Sequence, residues 1–327
     1  MVPAGLAAPR RFELGDPALP GAFARPAVTV GVFDGVHRGH RALLRELTGW
    51  AAEGGVDPVV VTFDVHPRTV LTGEGPALLS GIEHRVGLLG REGVRGVVVL
   101  PFDKIMASWT AEEFVRRVFV DALRASRVLV GRNHRFGRGR AGDFALLRAL
   151  GARHGFEARE VDLEVADDVI SSTAIRQAIR AGDLPGARAL LGRPVALLGR
   201  VVQGDQRGRT LGFPTANLDL QGAVRPPRGV YAAWARVGPD PLALAGPDRP
   251  AVVNVGRRPT FHPEAEEDLV EVHLLEPPRE ELYGRWLELT FAARLREERR
   301  FSGPGELKEQ IGRDVAAARE LLAAEAR

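Results

Sequence analysis

The chain has 327 residues, 45% of them hydrophobic and 27% charged, more than one core usually holds, which sets an expectation of about two domains. Its 45 lysines and arginines against 42 aspartates and glutamates leave a net charge of +3, too small to require a nucleic acid as partner. The absence of cysteine excludes disulfides, thiolate zinc sites and thiol nucleophiles.

No stretch of about 18 apolar residues occurs, and the N-terminal residues carry no apolar signal core. The chain therefore reads as soluble and cytoplasmic, with no membrane and no nucleic acid among its partners.

In the first half, β-branched runs expected as strands at 27–33, 58–63, 95–102, 127–131 and 157–163 alternate with helical patterns at 39–53, 83–92, 111–123 and 143–154. That alternation predicts βαβ units, a parallel sheet and a doubly wound α/β architecture. The first strand runs into Gly31-Val32-Phe33-Asp34-Gly35-Val36-His37-Arg38-Gly39-His40. A glycine-rich turn at a helix N-terminus points backbone N–H groups and the helix dipole at an anion, and His37 and His40 add donors for phosphate oxygens.

Two further segments are expected at the same carboxyl edge of the sheet. One is Thr62-Phe63-Asp64-Val65-His66-Pro67; the other carries Arg132-Asn133-His134-Arg135-Phe136 and continues to Arg140. Ser171-Ser172-Thr173-Ala174-Ile175-Arg176 then offers hydroxyls at a helix start with an arginine one turn in, a set able to clamp phosphate oxygens.

Taken together, these residues resemble the FMN adenylyltransferase module of bacterial bifunctional riboflavin kinase/FAD synthetases, a group of H-x-G-H nucleotidyltransferases, over nearly all of residues 20–185. The resemblance implies direct in-line attack of the FMN phosphate on the α-phosphorus of ATP, with pyrophosphate leaving. His37 and His40 would polarise the ATP phosphates, within a nucleotide turn that includes Gly31, Phe33, Asp34, Gly35 and Gly39. Asn133 would sit at the flavin phosphate and nucleotide, and Ser172, Thr173 and Arg176 at the leaving pyrophosphate. Two positions depart from the family: an aromatic that follows the asparagine is here His134, and an arginine of the S-S-T-R-I-R run is here Ala174.

A short helix is expected to open at 171 or 172 and another over 184–191. From residue 193 the texture changes to strand-like runs at 195–203, 229–237, 251–255, 269–275 and 285–292, which predict a small antiparallel barrel. A final helix at 304–324 aligns Leu307, Ile311, Val315, Ala318 and Leu322, and is expected to cover an open side of that barrel.

The loop containing Gly204, Arg209, Gly212 and Pro214 suits a nucleotide phosphate, and Thr215 and Asn217 offer oxygen ligands to a hard cation such as Mg²⁺. Strand alternation places Glu271 and His273 on one face, where a carboxylate can take the proton of a substrate hydroxyl.

This half resembles riboflavin kinase from about Leu191 onward, through the motif from Gly208 to Asn217, Gly229-Val230-Tyr231, Asn254-Val255-Gly256, Glu271-Val272-His273 and Leu282-Tyr283-Gly284. The resemblance implies a six-stranded flavin kinase barrel, Thr215 and Asn217 on Mg²⁺-ATP, and Glu271 as general base on the ribityl 5′-hydroxyl.

The expected organisation is thus an adenylyltransferase domain at 1–186 and a riboflavin kinase barrel with its C-terminal helix at 187–327. Riboflavin, FMN and FAD are the expected substrates and products, with ATP and Mg²⁺, in a monomer or weak homo-oligomer. The alternative is a riboflavin kinase whose first half serves only as a nucleotide-binding or regulatory module.

Overall fold

The computed structural model describes residues 8–162, 170–204, 212–244, 247–257, 268–278 and 280–325; Arg209 lies outside them. The chain divides into two compact units, one of Met1–Leu78 with Arg85–Ser172 and one of Leu79–His84 with Thr173–Arg327.

In the first unit, six parallel strands form one sheet: β1 (Arg10–Glu13), β2 (Ala27–Val30), β3 (Pro58–Phe63), β4 (Gly96–Leu100), β5 (Arg127–Gly131) and β6 (Glu157–Val161). Their order is β1-β4-β3-β2-β5-β6. The middle strands are valine- and leucine-rich and buried almost throughout, as a parallel sheet covered on both faces requires. The edge strands are different. β1 is Arg-Arg-Phe-Glu and largely exposed, so it carries no apolar pattern and is absent from the sequence reading, yet it pairs in register with β4 from Arg10↔Gly96 to Glu13↔Val99.

Helix α1 (Arg38–Glu53) buries Leu43, Leu44, Leu47 and Trp50. Helices α2 (Pro67–Thr72) and α4 (Lys104–Ala107) are too short to leave a helical period in the sequence; α3 (Ile82–Arg91) lies between them in the chain. The helix expected at 111–123 is α-helical only over α5 (Ala111–Phe114), where Thr110 and Glu113 form a reciprocal capping box, and continues as a π-helix over Val115–Ala122. Helix α6 (Phe144–His154), capped by Asp143, precedes β6. Leu147 and Leu150 of α6, with Val118 and Phe119 of the π-helix, join Val28, Val59, Val98 and Val128 of the strands in one apolar cluster.

The sheet order reverses at β2, which has β3 on one side and β5 on the other. Crossovers leave this point in opposite directions, so a crevice opens at the carboxyl ends of β2 and β5, the usual ligand position in open α/β sheets.

Helices α7 (Ser172–Ala181) and α8 (Leu184–Leu191) lead into the second unit's barrel. Its strands are β7 (Ala196–Val202), β8 (Ala216–Asp219), β9 (Gly229–Gly238), β10 (Arg249–Arg257), β11 (Asp268–Leu274) and β12 (Trp286–Glu297). They close antiparallel in the order β10-β11-β8-β7-β12-β9. Tyr231, fully buried, meets Phe291 edge to face at 5.4 Å.

Because hydrogen bonds close the barrel completely, the final helix α9 (Pro304–Glu325) does not cover an open side, as its apolar stripe had suggested. It packs on the outer face of β9 and β10, where Ala318 and Leu322 meet Val230, Ala232 and Val252. Asp314 of α9, 5% exposed, accepts from both Arg296 Nε at 3.0 Å and Nη2 at 2.7 Å, fixing the helix to β12. Among the described residues no helix is long and apolar enough to cross a membrane.

Candidate active sites

The turn after β2 is left-handed at several residues: Phe33, Gly35 and Val36 have φ of 50°, 77° and 39°. Such backbone costs free energy at Phe33 and Val36 and persists only where the surroundings hold it. They do so here. Arg85, fully buried, donates from Nη1 to Thr62 Oγ1 at 3.2 Å and to the Phe63 carbonyl at 2.9 Å. Thr62 Oγ1 in turn donates to the Val32 carbonyl at 3.0 Å.

Burial pushes the Arg85 guanidinium down from its ordinary pKa, while Asp34 and Asp64 hold it up. Asp34 is 1% exposed, and its carbonyl accepts from Ser172 Oγ at 3.1 Å.

His37 is the N-cap of α1, its Nδ1 accepting from the His40 backbone N–H at 3.4 Å. The His37 and His40 rings stack with centroids 3.6 Å apart, and Phe33 lies 5.1 Å from His40. Gly39 occupies the first turn of the same helix. At Gly31 a Cβ would stand 3.1 Å from the Phe33 ring, a tight contact to which the ring would have to give way.

The loop after β5 completes a crevice of about 320 Å³. Gly31, Phe33 and His40 line it from one side and Asn133, His134 and Arg140 from the other. Beside it lies a larger cavity of about 670 Å³ with Phe63, Phe102, Met106, Phe114 and Phe136 in its walls. A polar crevice at a helix N-terminus suits phosphates, and an aromatic-walled cavity suits a flat apolar ring. Thr173 and Arg176 lie on α7 in the second unit, where Arg176 is buried.

In the barrel, Asn217 on β8 stands directly opposite Glu271 on β11, and Glu271 opposite Asn254 on β10. These side chains share one face, with Asn254 Nδ2 donating to Glu271 Oε2 at 3.4 Å. Asn217 is 5% exposed, and a Cβ at Gly204 would overlap its amide. Gly212 has φ of 88°, a left-handed conformation that glycine adopts without strain.

Thr215 lines a separate recess of about 210 Å³ with Pro214, Ala216, Val272 and Tyr283. Ala216 and Val272 are themselves a cross-strand pair, so alternation turns their side chains away from Asn217 and Glu271, while Thr215 stands just before β8, where strand alternation sets no side for it.

Strand alternation alone sets His273 beside Glu271 and gives it no role. In the structure His273 Nδ1 donates to the Pro214 carbonyl at 2.9 Å, and Phe213 meets its ring edge to face at 5.5 Å. His273 therefore anchors the segment that presents Thr215. Arg85 was missed altogether, because an arginine in an amphipathic helix reads as a solvated charge. Among the described residues no cluster of three or more histidine or acidic side chains could hold a metal.

Residues 22–174 match the FAD synthetase family and residues 191–322 the riboflavin kinase family. The bifunctional riboflavin kinase/FMN adenylyltransferase of Escherichia coli strain K12 is 41% identical over 90% of this chain and 92% of its own length. The proteins of the same description from Pseudomonas fluorescens and Bacillus subtilis are 40% and 33% identical, covering 92% and 90% of their own lengths. A crystal structure from Streptococcus pneumoniae, described as a macrolide-efflux protein, superposes with a TM-score of 0.74 at 30% identity, covering 94% of this chain and 98% of that one. The chain belongs to the bifunctional riboflavin kinase/FMN adenylyltransferase family.

Proposed function

We propose that this chain converts riboflavin to FMN at the barrel and FMN to FAD at the crevice of the parallel sheet, with ATP as the donor in both steps. The observation that carries this reading is the coexistence in one chain of two phosphate-handling centres. One is the crevice lined by Asn133 and by His40, on whose ring His37 stacks; the other is Glu271 set between Asn217 and Asn254. The adenylyltransferase is assigned to residues 1–186 and the kinase to 187–327.

In adenylyl transfer the isoalloxazine ring occupies the aromatic-walled cavity, and the FMN phosphate reaches the polar crevice beside Asn133. Backbone N–H groups at the start of α1, together with His37 and His40, stabilise negative charge on the ATP phosphates as the α-phosphorus is attacked. Ser172, Thr173 and Arg176 hold the departing pyrophosphate. Catalysis here is positioning and electrostatics, which the buried Arg85–Thr62–Val32 chain serves by fixing the turn.

In the kinase step, Glu271 takes the proton of the ribityl 5′-hydroxyl as that oxygen attacks the γ-phosphorus of ATP and ADP leaves. Thr215 and Asn217 supply a hydroxyl and an amide oxygen, a neutral oxygen set that fits a Mg²⁺ ion drawing its other ligands from ATP and water. When bound, that ion neutralises charge on the transferring phosphoryl group. Gly204, Arg209, Gly212 and Pro214 belong to the loop assigned to the ATP phosphates. The chain is read as a cytoplasmic enzyme of small-molecule substrates, with neither nucleic acid nor membrane as partner, and as a monomer or weak homo-oligomer.

Incubating the purified chain with FMN, ATP and Mg²⁺ tests the half with altered motif positions. FAD and pyrophosphate in equal amounts support the reading, whereas FMN left unchanged reduces the chain to a kinase with a nucleotide-binding domain.

A further inference from the structure

His134 lines both the crevice of about 320 Å³ and the aromatic-walled cavity of about 670 Å³, on a wall the two share with Val30, Gly31, Arg135 and Arg140. Its ring stacks on Phe136 with an interplanar angle of 20°, and its backbone N–H donates to the Gly131 carbonyl at 3.1 Å. Asn133, just before it, is left-handed with φ of 61°, so the loop aims the two side chains separately. The imidazole Nε2 is buried and meets no hydrogen-bond partner among the described residues. A polar atom left so in a native site calls for an explanation, since burial without a partner is unfavourable.

A ligand with a flat apolar ring in one cavity and a phosphate in the other must pass this shared wall with whatever joins the two, and His134 is the neutral hydrogen-bonding side chain on it. In FMN that joining element is a chain of hydroxyls. Burial and the neighbouring Arg140 push the His134 imidazole down to about 4, so near neutral pH the ring is uncharged, with one nitrogen a donor and the other an acceptor. A hydroxyl can meet Nε2 in either tautomer, whereas a phosphate would call for a donor or a cation.

We propose that His134 is a specificity-determining residue of adenylyl transfer, its Nε2 hydrogen-bonding a ribityl hydroxyl of FMN. The proposal rests on the reading that the aromatic-walled cavity holds the flavin ring, and the two are separable by experiment.

The test measures FAD formation from FMN and ATP by the full-length chain and three variants, with KM determined for each substrate. His134→Phe keeps an aromatic ring and loses Nε2; it should raise KM for FMN about 3- to 10-fold, the range of one neutral hydrogen bond, with KM for ATP unchanged and kcat within about twofold. His134→Gln, which restores a polar group, should recover most of the loss. A partly unfolded variant would lose kcat and not KM, so the split isolates binding. Ala107→Trp, at the wall of the larger cavity, should raise KM for FMN by blocking the ring.

If Ala107→Trp raises KM for FMN and His134→Phe does not, the cavity reading stands and the His134 proposal fails. A rise in KM for ATP in His134→Phe, with KM for FMN unmoved, also overturns it. If Ala107→Trp leaves KM for FMN unchanged, the flavin ring lies elsewhere and both fail.

Discussion

Asn217 and Glu271 face each other across β8 and β11 as a directly registered pair, with Asn254 on the far side of Glu271 donating to its carboxylate at 3.4 Å. A carboxylate flanked by two amides is held in one place while keeping lone pairs for a substrate proton. Glu271→Gln preserves the shape and removes the base. It should lower kcat for FMN formation by about 10² to 10⁴ and leave FAD formation from supplied FMN unchanged. Separate assays of the two reactions check this, and equal loss of both would contradict the division of labour.

Gly204 approaches the Asn217 amide so closely that any side chain would displace it. Gly204→Ala should therefore misplace the amide rather than unfold the barrel, lowering riboflavin phosphorylation about 10- to 100-fold. Thermal unfolding of the variant should stay near that of the parent chain. A fully active Gly204→Ala would mean that the Asn217 position is not critical.

Thr62 joins the buried Arg85 to the Val32 carbonyl. Thr62→Val keeps the volume and removes both hydrogen bonds, leaving buried polar groups short of a partner at a cost of about 1–3 kcal/mol. Urea unfolding should show that loss, and FAD formation should fall while the kinase rate holds. Unchanged stability together with normal FAD synthesis would show that the left-handed turn does not depend on this chain.

The depressed pKa of His134, about 4, follows first from burial and then from Arg140. The folded chain thus binds this proton less readily than the unfolded one, whose histidine titrates near 6.5. The stabilisation is complete above about pH 6.5 and is lost as pH falls toward 4. An NMR titration of the imidazole checks this directly, and a midpoint near 6.5 would contradict the buried, cation-flanked setting. In His134→Phe this contribution to acid sensitivity should vanish.

The parts legible in the sequence were those with a local pattern. The valine-rich middle strands show as apolar runs because both sheet faces are covered, and the Gly31–His40 turn shows as glycines and histidines at a strand-to-helix junction. β1 was invisible because an exposed edge strand of Arg-Arg-Phe-Glu has no apolar run to read.

Arg85 is not legible for another reason: the hydrogen bond to Thr62 and the charges of Asp34 and Asp64 that hold it come from segments that only the folded sheet brings to it. The anchoring of Pro214 by His273 likewise joins segments far apart in sequence. Closure of the barrel depends on the β9–β10 pairing, which strand periods alone do not specify, so the sequence pattern suggests for the final helix an opening that hydrogen bonds fill.

Whether one chain carries both transfers is decided by supplying riboflavin, ATP and Mg²⁺ to the purified full-length protein and following both flavin products with time. FMN should form first and FAD follow, with one pyrophosphate released for each FAD. FMN that accumulates to completion with no FAD would contradict it.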